Sequence, residues 1–299
     1  MNVKSKFPKK KSALGINNWI KSKTAVTPKT WDVILKFFDL VVKGGNYYKY
    51  PIIGPLLKKF MMFTPPETSY TYGYLLNLNE DLADKSKSVV MPIDMMKKAV
   101  SKASYRAIMN KCICRDSNKC ADYPQDLGCV FVGQGARVLV ERKVGHEATL
   151  EECMAHIDRA ASLGLIGHSL WIEVEQYIWG FRDEDMHRFL EFCFCCPCCC
   201  VGLGLARVAT RDIQSRFRSV GWKSSINEAC TGCDVCREVC PVQAISYNGT
   251  TWVVDETKCL GCGICAARCP ASAIKLELKA PMKKDIKDYY AADGLKLEL

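Results

Sequence analysis

Nineteen cysteines in 299 residues are the first chemical fact about this chain. Eight of them fall in an internal repeat. ACTGCDVCREVCPVQAISY is followed by KCLGCGICAARCPASAIKL, and each unit reads C-x2-C-x2-C-x3-C-P. Thiolates are soft ligands, and four of them around one point hold zinc or an iron–sulfur cluster. Three closely spaced cysteines on a tight loop can wrap three corners of a cubane. The fourth, expected on the first turn of a short helix, then points away toward a second cluster. Zinc needs only four ligands per site and has no use for a third close cysteine with a Cys-Pro fourth. The proline after each fourth cysteine fixes the chain direction and leaves no N–H unpaired.

On these motifs residues 226–278 resemble a two-cluster bacterial-type ferredoxin domain. The resemblance implies two [4Fe-4S] clusters, a pseudo-twofold βαβ-type domain and one-electron transfer. Cluster 1 would use Cys230, Cys233, Cys236 and Cys269, and cluster 2 Cys259, Cys262, Cys265 and Cys240. Gly232, Gly261 and Gly263 let the backbone approach a cluster and aim amides at sulfur. Val235, Ile245, Val254, Ile264 and Ile274 are candidates for an apolar shell. Asn248-Gly249, between two β-prone stretches, predicts a hairpin.

The other cysteines form two sets. One is Cys112, Cys114, Cys120 and Cys129. The second is Cys193, Cys195, Cys196, Cys198, Cys199 and Cys200, in the run FCFCCPCCC. Six cysteines in eight residues must point several ways, so a metal site is the economical reading. We expect at least one further Fe–S cluster drawing ligands from both sets, with zinc or a redox-active thiol pair as alternatives. The CICR segment, the Gly-Leu-Ile-Gly-His stretch and the CCPCCC run resemble an extension of some ferredoxin-type proteins of anaerobes. Cys153, at mid-helix, reads as a core residue. His146, His156, His168 and His187 lie in no metal-binding spacing, with His168 the least secure because it falls at an expected turn. Gly133-Gln134-Gly135 lacks the third glycine of a dinucleotide fingerprint.

These residues need elements to hold them. The sequence predicts an α+β fold in four segments. Residues 1–90 form an extended basic N-terminal arm, 91–215 a mixed helical and short-strand Cys-rich domain, 216–280 the ferredoxin-like two-cluster domain, and 281–299 a C-terminal tail. Residues 1–24 read as flexible. Thr27-Pro28 reads as the start of an amphipathic helix through Trp31, Ile34, Leu35, Phe38, Val41 and Val42, stopped at Gly44-Gly45. Further helices are expected over 93–110, entered at Pro92, and from Thr149, with Glu152 completing a capping box and Gly164 ending the helix. Residues 170–174 read as extended.

The net charge of +10 arises in residues 1–60, where lysines far outnumber acids. That excess suits a redox partner with an acidic docking surface, an anionic membrane surface met by residues 28–63, or a solvated arm. Nucleic acid is not expected. The start, MNVKSKFPKKKSALG, has no apolar core after its basic residues, and no apolar run approaches the ~20 residues of a spanning helix. The thiols are therefore expected to be reduced and metal-bound in a cytosol. The functional expectation is an electron-transfer protein or subunit. The alternatives are an oxidoreductase with a catalytic metal in the middle region and, more weakly, a redox sensor.

Overall fold

The computed structural model describes residues 16–61, 63, 71–82 and 92–299. Residues 1–15, the start of the expected flexible arm, lie outside these. The remainder of that stretch is helical over Ile16–Thr24 and clamped in place: Lys21 is fully buried and its Nζ lies 2.6 Å from the Asp183 carboxylate.

A seven-stranded sheet organises the molecule. Its strands are β1 (Tyr72–Asn77), β2 (Arg106–Met109), β3 (Val130–Val132), β4 (Gly145–Glu147), β5 (Ile166–Trp171), β6 (Leu190–Cys195) and β7 (Phe217–Ser219), in the order β4-β2-β3-β6-β5-β1-β7. Neighbours are antiparallel except for β1 and β7. Thus β1 comes from the segment read as an arm, and β7 from the segment read as ferredoxin-like. The helix Ile286–Ala292 of the expected tail docks on the sheet, with Tyr289 and Tyr290 packed on Tyr74 at ring distances of 5.0 and 5.1 Å.

The sheet has two differently clothed faces. Pro92–Lys102, Leu150–Ser162 and Ile286–Ala292 cover one with apolar side chains such as Met96, Val100, Cys153 and Ile157. Trp31–Gly45, Ile113–Ser117 and Val201–Val208 cover the other. Strand alternation sends Leu190, Phe192 and Phe194 to the first face and Glu191, Cys193 and Cys195 to the second.

Several local expectations hold. Thr149 and Glu152 form the capping box, Gly164 sits at φ +68 after that helix, and Cys153 is fully buried. Others differ for physical reasons. The expected 93–110 helix ends at Lys102, because Arg106 turns back to donate to the carbonyls of Val100, Ser101 and Ala103 and then opens β2. The expected strand at 170–174 lies instead at Ile166–Trp171. Gly167 is accommodated there because the Met96 side chain and the Leu76 carbonyl press where its Cβ would be. The arm helix begins at Trp31 behind Thr30, not at Thr27, whose N–H bonds the Thr30 hydroxyl in a preceding turn.

Beyond the sheet, β8 (Trp222–Ile226) pairs antiparallel with β11 (Ile274–Leu278), and β9 (Ile245–Tyr247) with β10 (Trp252–Val254). The β9–β10 hairpin turns at Asn248-Gly249 as expected, with Gly249 at φ +98.

Candidate metal centres

The repeat is also a repeat of conformation. Each half runs strand, cysteine loop, short helix, Cys-Pro and strand, with helices at Val235–Val239 and Ile264–Ala267. Left-handed residues recur at matching positions: Gly232 and Gly261, Asp234 and Gly263, Gln243 and Ser272. The last pair turns the chain so that the next amide meets the fourth sulfur. Ala244 N–H lies 3.2 Å from Cys240 Sγ, and Ala273 N–H 3.3 Å from Cys269 Sγ. The fourth cysteines follow the short helices and do not begin them as expected. The third cysteine already occupies the helix, and the proline ahead forbids its continuation.

Cys230, Cys233, Cys236 and Cys269 surround one cavity, with Trp252 and Ile274 in its wall. Cys259, Cys262, Cys265 and Cys240 surround a second, walled by Ile245, Val254 and Ile264. Each cavity therefore takes its fourth sulfur from the other repeat. Four sulfurs, apolar walls and amides aimed at sulfur fit a thiolate-bound cluster. The two cavities differ in burial. Cys233 is exposed, whereas Cys259, Cys265 and Cys240 are buried. At the second cavity Ser224 bonds Cys265 Sγ through its hydroxyl at 3.2 Å and Cys259 Sγ through its N–H at 3.4 Å. Burial pushes the Cys265 thiol up to about 12, so ionising it requires a cation at hand.

Residues 229–273 match the 4Fe-4S dicluster domain family, under a fifth of the chain. This segment supports at least one 4Fe-4S cluster and iron–sulfur electron transfer. No curated protein and no solved structure matches the chain. Among the described residues no helix is long and apolar enough to cross a membrane.

The middle cysteines come together from both sets. Antiparallel register does this: Val130 pairs with Phe192, so Cys129 faces Cys193, and their sulfurs lie 2.9 Å apart. Cys200, opening the helix Val201–Val208, has its sulfur 3.1 Å from Cys195 Sγ. Cys112 and Cys114, flanking the start of Ile113–Ser117, complete an inner chamber of six thiols, and a seventh cysteine, Cys196, also stands in its wall. Its remaining wall is aromatic and aliphatic: Phe37, Phe38, Met61, Phe63, Trp179 and Phe217. The arm helix thus roofs the chamber. A second, outer group joins Cys120 to Cys196, Cys198 and Cys199.

The chamber also holds charged groups that sequence reasoning missed. Glu191 Oε1 accepts from Cys193 at 2.9 Å, and Glu175 lines the same space. Arg115 is fully buried and donates to the carbonyls of Pro124, Phe194 and Leu127. His168, expected to be ordinary, sits buried beside the chamber with Nδ1 3.8 Å from Cys195 Sγ and no partner for Nε2. The period-two pattern Glu191-Cys193-Cys195 was the available signal for Glu191.

Burial holds His168 down to about 3, so its ring is neutral. Burial, with Glu191 nearby, raises Glu175 well above the usual carboxylate range. Bonds from Cys193 and Cys200 hold Cys195 down to about 6, despite burial. Cys193 is pushed well above the usual thiol value by its bonds to Cys129 and Cys195 and by burial. Such a network sustains one thiolate by keeping its neighbours protonated, and further ionisation needs positive charge inside the chamber.

The other histidines are conventional. His146 faces Asn110 at the surface, His156 bonds the Gly128 carbonyl at 2.7 Å, and His187 lies 3.5 Å from Glu298. Gly133 and Gly135 pack against the Arg188 carbonyl, and Gly133 has φ +89.

Proposed function

We propose that the protein is an iron–sulfur electron-transfer protein holding two [4Fe-4S] clusters. Cys230, Cys233, Cys236 and Cys269 would bind the first, and Cys259, Cys262, Cys265 and Cys240 the second. When bound, such clusters supply one-electron transfer. The gradation of burial supports this reading above all. The first cavity opens near the exposed Cys233, where a partner can approach. Cys240 and Cys259 of the second belong to the same buried cluster of side chains as Cys195 of the inner chamber. Buried side chains thus join the second cavity to the chamber.

The test is a count of iron and acid-labile sulfide on anaerobically purified protein, with electron paramagnetic resonance of the reduced form. About eight irons held by the C-terminal segment are expected, as two such clusters require. Cys233→Ser with Cys236→Ser should remove about half of that iron. Substantially fewer than eight irons after reconstitution overturns the reading.

The partner is proposed to carry an acidic docking surface. The arm turns Val33, Leu40, Ile52, Leu56 and Phe60 outward, Ile52 at 85% exposure. The exposed Lys29, Lys36 and Lys59 accompany them. Partner binding should weaken with salt. An anionic membrane surface is the competing occupant of residues 28–63, and sedimentation with phosphatidylserine vesicles would favour it.

The inner chamber favours a second reading, an oxidoreductase whose middle domain holds a catalytic cluster. The observation behind it is an apolar space lined by seven cysteines, with Glu191 Oε2 and Glu175 Oε2 lacking partners and the unpaired His168 Nε2 close by. A small molecule that perturbs a third cluster's spectrum would support it. Dye-linked electron exchange with no such response would leave the carrier reading standing.

A further inference from the structure

The ten middle cysteines divide by geometry. On β6 the alternating side chains of Cys193 and Cys195 enter the inner chamber, and Cys196, the next residue, lines its wall while its sulfur joins the outer group. Pro197 opens a turn that delivers Cys198 and Cys199 to that same group, and Cys200 returns to the chamber at the start of the next helix. The fourth outer thiol comes from far away in the chain. Lys119 adopts φ +46, turning Cys120 back over the helix Ile113–Ser117, and its N–H bonds the Arg115 carbonyl. Asn118 braces the junction, donating to the carbonyls of Cys114 and Cys199.

The four outer sulfurs lie within 4.8 Å of one another, with Cys120 and Cys198 at 3.7 Å. A tetrahedral zinc with Zn–S bonds of ~2.3 Å sets its sulfurs about 3.8 Å apart. A cubane spreads its four thiolates wider, because each binds a different iron. The same molecule supplies the contrast. Among the described residues two groups of ligand atoms are this compact, and neither includes one of the eight ferredoxin-type cysteines.

We infer that Cys120, Cys196, Cys198 and Cys199 form a mononuclear tetrathiolate site that takes zinc, adjoining the inner six-thiol chamber with Cys196 in the wall between them. With four protein ligands the site has no open position, as structural zinc sites have none. Its place gives it a task. It ties the Cys120 loop to the turn after β6, the two segments that also carry inner-chamber thiols. Both the outer group and the inner chamber draw thiols from both cysteine sets. The inference does not depend on the C-terminal clusters, whose iron can be absent or present without changing it.

The test measures zinc, iron and sulfide on the full chain purified without oxygen, with zinc K-edge absorption on the wild type. One zinc per chain bound by four sulfurs is expected. Cys198→Ser with Cys199→Ser should lose that zinc and keep the iron and sulfide. Cys129→Ser with Cys193→Ser should keep the zinc. No zinc, fewer than four sulfurs around it, a mononuclear ferric signal in its place, or zinc retained in the first double variant each overturns the inference. So does iron lost together with the zinc in that variant, which would mean one shared centre. If the variant does not fold, the wild-type absorption spectrum decides alone.

Discussion

Ser224→Ala tests the reading of the second C-terminal cavity at a single atom. The Ser224 hydroxyl lies 3.2 Å from Cys265 Sγ, and the pair is buried. Facing a metal-bound thiolate it can only donate. A hydrogen bond to a charged group contributes about 1.5–3 kcal/mol. The midpoint potential senses only the part that grows when the cluster gains an electron. Taking that part as roughly a third gives about 0.5–1 kcal/mol, or ~20–40 mV for a one-electron couple. The sign follows from charge: the donor favours the more negative, reduced state, so removing it lowers the potential. The fold should tolerate the change, since Ser224 pairs with Leu276 through its backbone and its N–H still reaches Cys259 Sγ. The assay is a redox titration of anaerobic protein followed by electron paramagnetic resonance. One of the two centres should move down and the other stay. An unchanged titration, an upward shift, or equal movement of both centres refutes the reasoning.

Other residues give independent checks. Gly73→Ala places a methyl group against His168 Nε2 and Leu170 of the neighbouring strand β5, and thermal unfolding should show a loss of ~1–3 kcal/mol; an unchanged midpoint would mean that β1 does not press on His168. Gly261→Ala combines a φ of +65 with a clash against the Trp222 carbonyl, and the iron count should fall toward half. Lys21→Ala leaves Asp183 without its cation and should destabilise the docked helix Ile16–Thr24 by ~1–3 kcal/mol, read as faster amide exchange there. Burial lowers the pKa of His156 below its ordinary 6.5. Folding therefore favours the neutral ring: its contribution is intact above pH 6.5 and is lost as pH falls through the folded value. His156→Gln should flatten that acid limb of stability, and an identical pH profile would count against it.

Local order explains what was legible in advance. The C-x2-C-x2-C-x3-C-P repeat places three sulfurs on one loop, so spacing alone delivers most of each ligand group. The Thr149–Glu152 capping box and the Asn248-Gly249 hairpin likewise need only neighbours in the chain. The helix expected over 93–110 failed where a local rule met a distant one. Ala103 to Met109 have no helix breaker, but sheet pairing with Phe131 and His146 claims Ala107 and Ile108.

The middle cysteines mark the boundary between the two kinds of information. Their types announced sulfur chemistry, and their crowding announced that they must diverge. Their partners are another matter, because Cys129 meets Cys193 and Cys120 meets Cys198 only through the register of β3 on β6 and a left-handed turn at Lys119. No spacing rule reaches across 64 or 78 residues. A compact outer group and a six-thiol chamber share one run of cysteines because strand alternation, a proline turn and a helix start point successive side chains in different directions.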